Sequence, residues 1–259
     1  MLFCALLCVP VVSAQTPPLA GIAHEAFRVS NLDAARDFYH KLGFEEAFEF
    51  ADAGRPAVAY IKINDRQFIE LYARQDDTEP IGLMHFCFET GEIVAVHDAY
   101  AKLQLNPTEV KKGRAGNLLF VMHDPEEQLL EFTQYLPGSL HSLDRGKHLG
   151  AERISELLLG GTMPVHDGTA ERAFYISKLG FESDSADGNR LRPPGDSGEE
   201  VDLAPAASTP AIAFEVRDRK RAARELHRRG LAVQQRDKLI SVTGPDGVLV
   251  VFRQGLKKK

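Results

Sequence analysis

Residues 24–44 read HEAFRVSNLDAARDFYHKLGF. The stretch opens with the two-residue period of a strand: Phe27 and Val29 take one face, and His24, Ala26 and Arg28 take the other. After Ser30 and Asn31, either of which suits a helix N-cap, the period changes. Leu32, Ala35, Phe38, Tyr39 and Leu42 recur at helical spacing, and Gly43 supplies the left-handed residue that ends a helix. Three strand-like runs follow, FEEAFEF, AVAYIKI and QFIELYA, with a tight turn at Asn64-Asp65 between the last two. The order is β-α-β-β-β.

The same order returns three times. LMHFCFE is followed by a helix from Glu92 to Leu103 and by TEVKK, NLLFVMH and QLLEFTQY. A third unit starts near ISELLLGG, with a helix from Thr169 to Leu179 in which FYISKLGF echoes FYHKLGF. A fourth opens with AIAFEV, carries a helix from Asp218 to Arg229 and closes with GVLVVFRQ, where GPDG parallels the earlier HDPEE. Four such units predict an α+β chain. Each pair of units would form a half-open, eight-stranded barrel with helices outside and a cleft inside. The expected organisation is a first domain over 21–136, a polar linker over 137–150 without packed structure, and a second domain over 151–255.

The length of 259 residues suits two domains of about 150 residues each. With 44% hydrophobic and 26% charged residues the chain reads as globular. A net charge of −6 leaves no basic footprint for nucleic acid. Only one long apolar run exists, Leu2 to Val12, so a multi-span membrane protein is excluded. That run has the length of a signal-peptide core, and Val12 and Ala14 are small residues before a cut at Ala14/Gln15. Residues 1–14 are therefore expected to be a signal peptide, and the mature protein to be periplasmic or secreted. Cys4 and Cys8 lie in this segment. Cys87 would then stand alone, and its expected role is that of a small buried residue.

Four residues of the first half form a constellation: His24, Glu70, His85 and Glu131. His24 precedes Glu70 by 46 positions, and His85 precedes Glu131 by the same 46. Each lies in an expected strand on the face opposite the apolar row that packs under the helices, so all four converge in the cleft. Two imidazoles and two carboxylates suit one borderline divalent ion, Ni²⁺, Co²⁺, Zn²⁺ or Fe²⁺. A lone strand histidine or glutamate is ordinarily structural or solvated. Four at a repeated spacing on one face point to a site. The ligands demand that units one and two close on each other. An exchange of units between two copies of the chain, a homodimer, would preserve the set as well.

These segments resemble the vicinal oxygen chelate superfamily, which includes glyoxalase I, extradiol dioxygenases, methylmalonyl-CoA epimerase and the fosfomycin- and bleomycin-resistance proteins. HEAFRVSNLDAARDFYHKLGF, FIELY, MHFCFE and DPEEQLLEF are similar to its signatures. The resemblance implies two half-barrel domains of the glyoxalase/dioxygenase type, with His24, Glu70, His85 and Glu131 as the four ligands of the glyoxalase I pattern. Arg28 resembles that enzyme's anion-binding arginine, and Arg74 is its symmetric counterpart, so both are substrate-binding candidates. Alignment of the second half places Ile154, Asp202, Ala211 and Val251 at the ligand positions, a degenerate domain without metal. In extradiol dioxygenases the metal resembles a site in the second half, with a tyrosine where this chain has Val121.

The expected function is a divalent-metal-dependent, glyoxalase I-like isomerase or lyase. It would act on a small substrate with two adjacent oxygens through an enediolate, with Glu131 as base and Glu70 as its counterpart. The alternatives are an Fe²⁺ extradiol-type ring-cleaving dioxygenase and a small-molecule binding or resistance protein.

Overall fold

The computed structural model describes residues 17–183, 188–195, 197–236 and 239–254. The expected signal peptide lies outside the described residues, and no described helix is long and apolar enough to cross a membrane. The first unit is β1 (Gly21–Val29), α1 (Leu32–Lys41), β2 (Glu45–Asp52), β3 (Arg55–Lys62) and β4 (Phe68–Ala73); the second is β5 (Gly82–Glu89), α2 (Ile93–Lys102), β6 (Lys111–Lys112), β7 (Leu118–His123) and β8 (Leu129–Gln134). A short helix, α3 (Leu140–Leu143), precedes the third unit, β9 (Leu158–Val165), α4 (Gly168–Ser177), β10 (Glu182–Ser183), β11 (Arg190–Arg192) and β12 (Glu200–Pro205). The fourth unit is β13 (Ala211–Val216), α5 (Arg219–Arg228), β14 (Gln234–Arg236), β15 (Leu239–Thr243) and β16 (Leu249–Gln254).

Units one and two share one eight-stranded sheet, ordered β2-β3-β4-β1-β5-β8-β7-β6, and units three and four form a second of the same order. The two half-barrel domains are therefore each built from consecutive units. Local chemistry accounts for the helices. In α1, Asn31 accepts from the Ala34 amide while Leu32, Ala35, Phe38 and Tyr39 are buried. Gly43 then takes φ +84°, which costs glycine least. Alternation sends Phe27, Ile69, Leu71, Phe86, Phe88, Leu130 and Phe132 into a core under the helices, continuous between the domains.

The domains dock crosswise. Asp246 of unit four accepts from the Ser30 amide and hydroxyl of unit one. Glu126 of unit two accepts from the amides of His166 and Asp167, at the start of α4 in unit three. The Gln67 side chain joins the seam to Leu158 and Glu199.

The linker differs from its expected form. Ser139, His141 and Asp144 are buried, and α3 closes one end of the first barrel. His141 lies among inward-facing Phe48, Tyr60, Phe68 and Tyr135, stacked on Tyr135 at 4.6 Å. Its polar composition reads as loop in sequence, yet those polar groups meet barrel partners. The fully buried Lys62 ammonium reaches the Asp144 carboxylate at 2.8 Å, the Asp144 carbonyl at 2.5 Å and Asp65 at 2.9 Å. Lys62→Met leaves the buried Asp144 carboxylate with His148, at 2.6 Å, as its remaining side-chain partner and should cost about 3 kcal/mol in urea unfolding. A loss under about 1 kcal/mol, the range of an exposed pair, would mean that the linker does not depend on this ion pair.

Candidate metal centre

Two rows of side chains cross the inner face of the first sheet. Antiparallel pairing of β1 with β5 sets His24 opposite Cys87 and Ala26 opposite His85. Parallel pairing sets Ala26 beside Glu70 and Cys87 beside Glu131. One row runs Phe68, His24, Cys87, Glu131; the other runs Glu70, Ala26, His85, Leu129. The four expected ligands thus stand two to a row, related by a pseudo-two-fold axis between β1 and β5.

They meet within one chain. The Nε2 atoms of His24 and His85 are 3.1 Å apart. His24 Nε2 lies 3.6 Å from Glu70 Oε1 and 3.9 Å from Glu131 Oε1, and His85 Nε2 lies 3.8 Å from Glu131 Oε2. His24 is 2% exposed, and His85 and Glu70 are each 4% exposed. Burial lowers the imidazole pKa values to about 3 for His24 and about 4 for His85, so both rings are neutral and keep a lone pair near neutral pH. Burial, and then the charge of Glu70, raises Glu131 to about 8; burial also raises Glu70. Two imidazole lone pairs and two carboxylates gathered in a buried cluster form a donor set that fits a divalent cation, which would take the place of the proton that Glu131 holds.

The carboxylates are not equivalent. Glu70 accepts from Tyr72 Oη at 3.0 Å and is hydrogen-bonded by Tyr60, its neighbour across β3. Among the described residues Glu131 has no phenol donor: beside the two imidazoles it accepts from the Cys87 thiol at 3.5 Å, and its side chain is more exposed, 15% against 5%. Tyr72, two residues after Glu70, was findable by strand alternation. Tyr60 required the β3–β4 register, and Cys87 required the β1–β5 register.

The two arginines lie apart from this cluster. Arg28 donates to the Pro80 carbonyl at 3.1 Å and pairs with Glu79 at 3.5 Å. Arg74, just beyond the end of β4, pairs with Asp77 at 2.7 Å and donates to the Asp76 carbonyl. Both hold the loop between β4 and β5.

Register corrects one position of the second domain. The counterparts of His24, Glu70, His85 and Glu131 are Gly160, Asp202, Ala211 and Val251. Gly160, not Ile154, matches His24. Its φ is +132°, and a Cβ there would run into the Glu200 carbonyl, so no histidine fits. The inner row of this barrel instead pairs Glu200 with Arg190 and Arg253.

The family model described as the Glyoxalase/Bleomycin resistance protein/Dioxygenase superfamily matches residues 21–132. No curated protein matches the sequence. Among solved structures, the 2,3-dioxygenase LapB from Pseudomonas sp. KL28 is similar at 16% identity and TM-score 0.71, over 93% of this chain and 94% of that one. The Mn(II)-bound glyoxalase from Novosphingobium aromaticivorans is similar at 16% identity and TM-score 0.71, over 93% and 83%. The homoprotocatechuate 2,3-dioxygenase from Arthrobacter globiformis is similar at 16% identity and TM-score 0.69, over 95% and 83%. These likenesses show a shared fold.

Proposed function

Residues 21–132 belong to the glyoxalase/bleomycin resistance protein/dioxygenase superfamily, and from that premise we propose that the protein is a divalent-metal-dependent isomerase or lyase. Its substrate would be a small molecule with two adjacent oxygens. His24, Glu70, His85 and Glu131 would hold one ion, of nickel, cobalt, zinc or iron. A divalent ion there supplies a Lewis acid for the negative charge that such a substrate develops on losing a carbon-bound proton. The observation that carries this reading is the unequal footing of the two carboxylates.

Glu70 is pinned by phenols, which makes it a fixed ligand. Glu131 has no such anchor and serves as the base. Standing off a cation, its carboxylate keeps the proton affinity that burial gives it, takes the proton from carbon and returns it to the neighbouring carbon. The closed, aromatic end of the barrel at Phe48, Tyr60, Phe68 and Tyr135 limits water around this transfer. Arg28 and Arg74 would reach an anionic end of an extended substrate once released from the loop carboxylates. The apolar N-terminal run supports export to the periplasm or beyond.

The full-length superposition on ring-cleaving dioxygenases favours a second reading, Fe²⁺-dependent oxygenation at His24, His85 and Glu131. One experiment separates the readings. Metal-loaded protein is incubated in D₂O, in air, with 2-hydroxy carbonyl compounds and with catechols. Deuterium entering the carbon next to the carbonyl, without oxygen consumption, is the expected result. Oxygen uptake with catechol loss would replace this reading by the second. Stoichiometric capture of an unaltered compound would replace both by sequestration.

A further inference from the structure

We infer that Cys87 is a fifth donor of the centre, a sulfur ligand that biases it toward zinc and cobalt over manganese. The inference rests on the four-donor reading above.

Cys87 is fully buried, in the middle of the row that runs from His24 to Glu131. Its Sγ, a ring nitrogen of His24 and a carboxylate oxygen of Glu131 all lie within 4.8 Å of one another. His24, Glu70 and His85 form a second triad of the same compactness, and the two triads share His24. The thiol is therefore one corner of a converging donor cluster, beside a buried histidine.

The pseudo-two-fold axis supplies an independent argument. It exchanges His24 with His85 and Glu70 with Glu131, and it exchanges Ala26 with Cys87. Ala26 is fully buried too, so a methyl group fills this position in one half of the site. Packing at the equivalent position does not require sulfur. Sulfur is also the added element on the side of Glu131, the less anchored carboxylate. On ligation the S–H bond breaks and an Sγ–metal bond forms. The thiol proton is released to solvent, and its hydrogen bond to Glu131 Oε1, at 3.5 Å, is given up. Thiolate sulfur favours the softer borderline ions over manganese, which prefers oxygen.

The test titrates cobalt into the metal-free full chain and into Cys87→Ser and Cys87→Ala. Weak visible ligand-field bands report uptake by any donor set. Near-ultraviolet charge transfer reports a cobalt–sulfur bond. Wild type should show both. The two variants should keep the visible bands, lose the charge transfer, and lose about tenfold of the zinc-over-manganese preference. Should a variant fail to fold, the chain with Cys4 and Cys8 replaced by serine leaves Cys87 as its one cysteine and must retain the charge transfer. Visible bands without charge transfer in wild type overturn the inference and leave the four-donor centre standing. Charge transfer that survives in Cys87→Ser also overturns it. Absence of cobalt uptake by wild type removes both readings.

Discussion

Glu131→Gln should still take up its divalent ion yet exchange substrate carbon-bound protons about 10³-fold more slowly than wild type. The substitution keeps shape and an oxygen donor and removes the basic carboxylate. Glu131 sits within β8 with a hydrogen bond from the Cys87 thiol, and burial holds its pKa up at about 8. No neighbouring phenol restrains it, in contrast to Glu70 beside Tyr72 and Tyr60. Glu70→Gln should therefore divide differently, with a larger loss of metal affinity and a smaller loss per bound ion. Stopped-flow or NMR exchange rates, normalised to metal content, distinguish the two variants. A Glu131→Gln protein within about tenfold of wild type per bound ion would take the base away from this residue.

The second large effect concerns uptake itself. His24→Ala and His85→Ala should each weaken divalent-ion binding by more than about 100-fold, the upper range for losing an outer-shell partner, and the double variant should bind nothing tightly. The two Nε2 atoms converge at 3.1 Å, and each supplies one nitrogen donor of the set. Wild-type protein at about 1,000 times the dissociation constant gains about 4 kcal/mol on binding, so a chelator should lower its melting temperature and leave the double variant unmoved. Binding should also be pH-dependent. The raised pKa of Glu131, about 8, means that a proton occupies the carboxylate below that pH and must leave before metal binds. Affinity should rise at least about tenfold per unit as pH increases toward 8 and less steeply above it. The imidazoles, depressed to about 3 and 4, add no slope near neutrality. Calorimetric titration in buffers of different ionisation enthalpy measures both affinity and protons released. Equal uptake by wild type and the double variant would remove the centre from these residues.

Much of this arrangement was legible in the chain. The change from a period of two to a helical period at Ser30-Asn31 marks the first β-α junction, and its return marks the repeat. The equal spacing of His24 to Glu70 and His85 to Glu131 predicts a paired site, because duplicated units place equivalent residues about a common axis. Local backbone geometry dictates all of these, and local geometry is written in neighbouring residues. Alternation even put Cys87 on the face of His85.

Tertiary structure decided the rest. Only the antiparallel register of β1 on β5 sets Cys87 against His24, and only the β3–β4 register brings Tyr60 to Glu70. Residues 137–150 read as an exposed linker, yet Lys62 and the barrel aromatics gather Asp144 and His141 into the interior. Arg28 and Arg74 look free for an anion in sequence but are held by Glu79 and Asp77 of their own loop. Gly160 replaces Ile154 as the partner of His24 because strand pairing, not spacing from the KLGF motif, fixes equivalence between the domains. Sequence determined the elements, their repetition and the faces of the donors, since periodicity acts between near neighbours. Register and linker burial depend on contacts between residues far apart in the chain, and those the fold alone supplies.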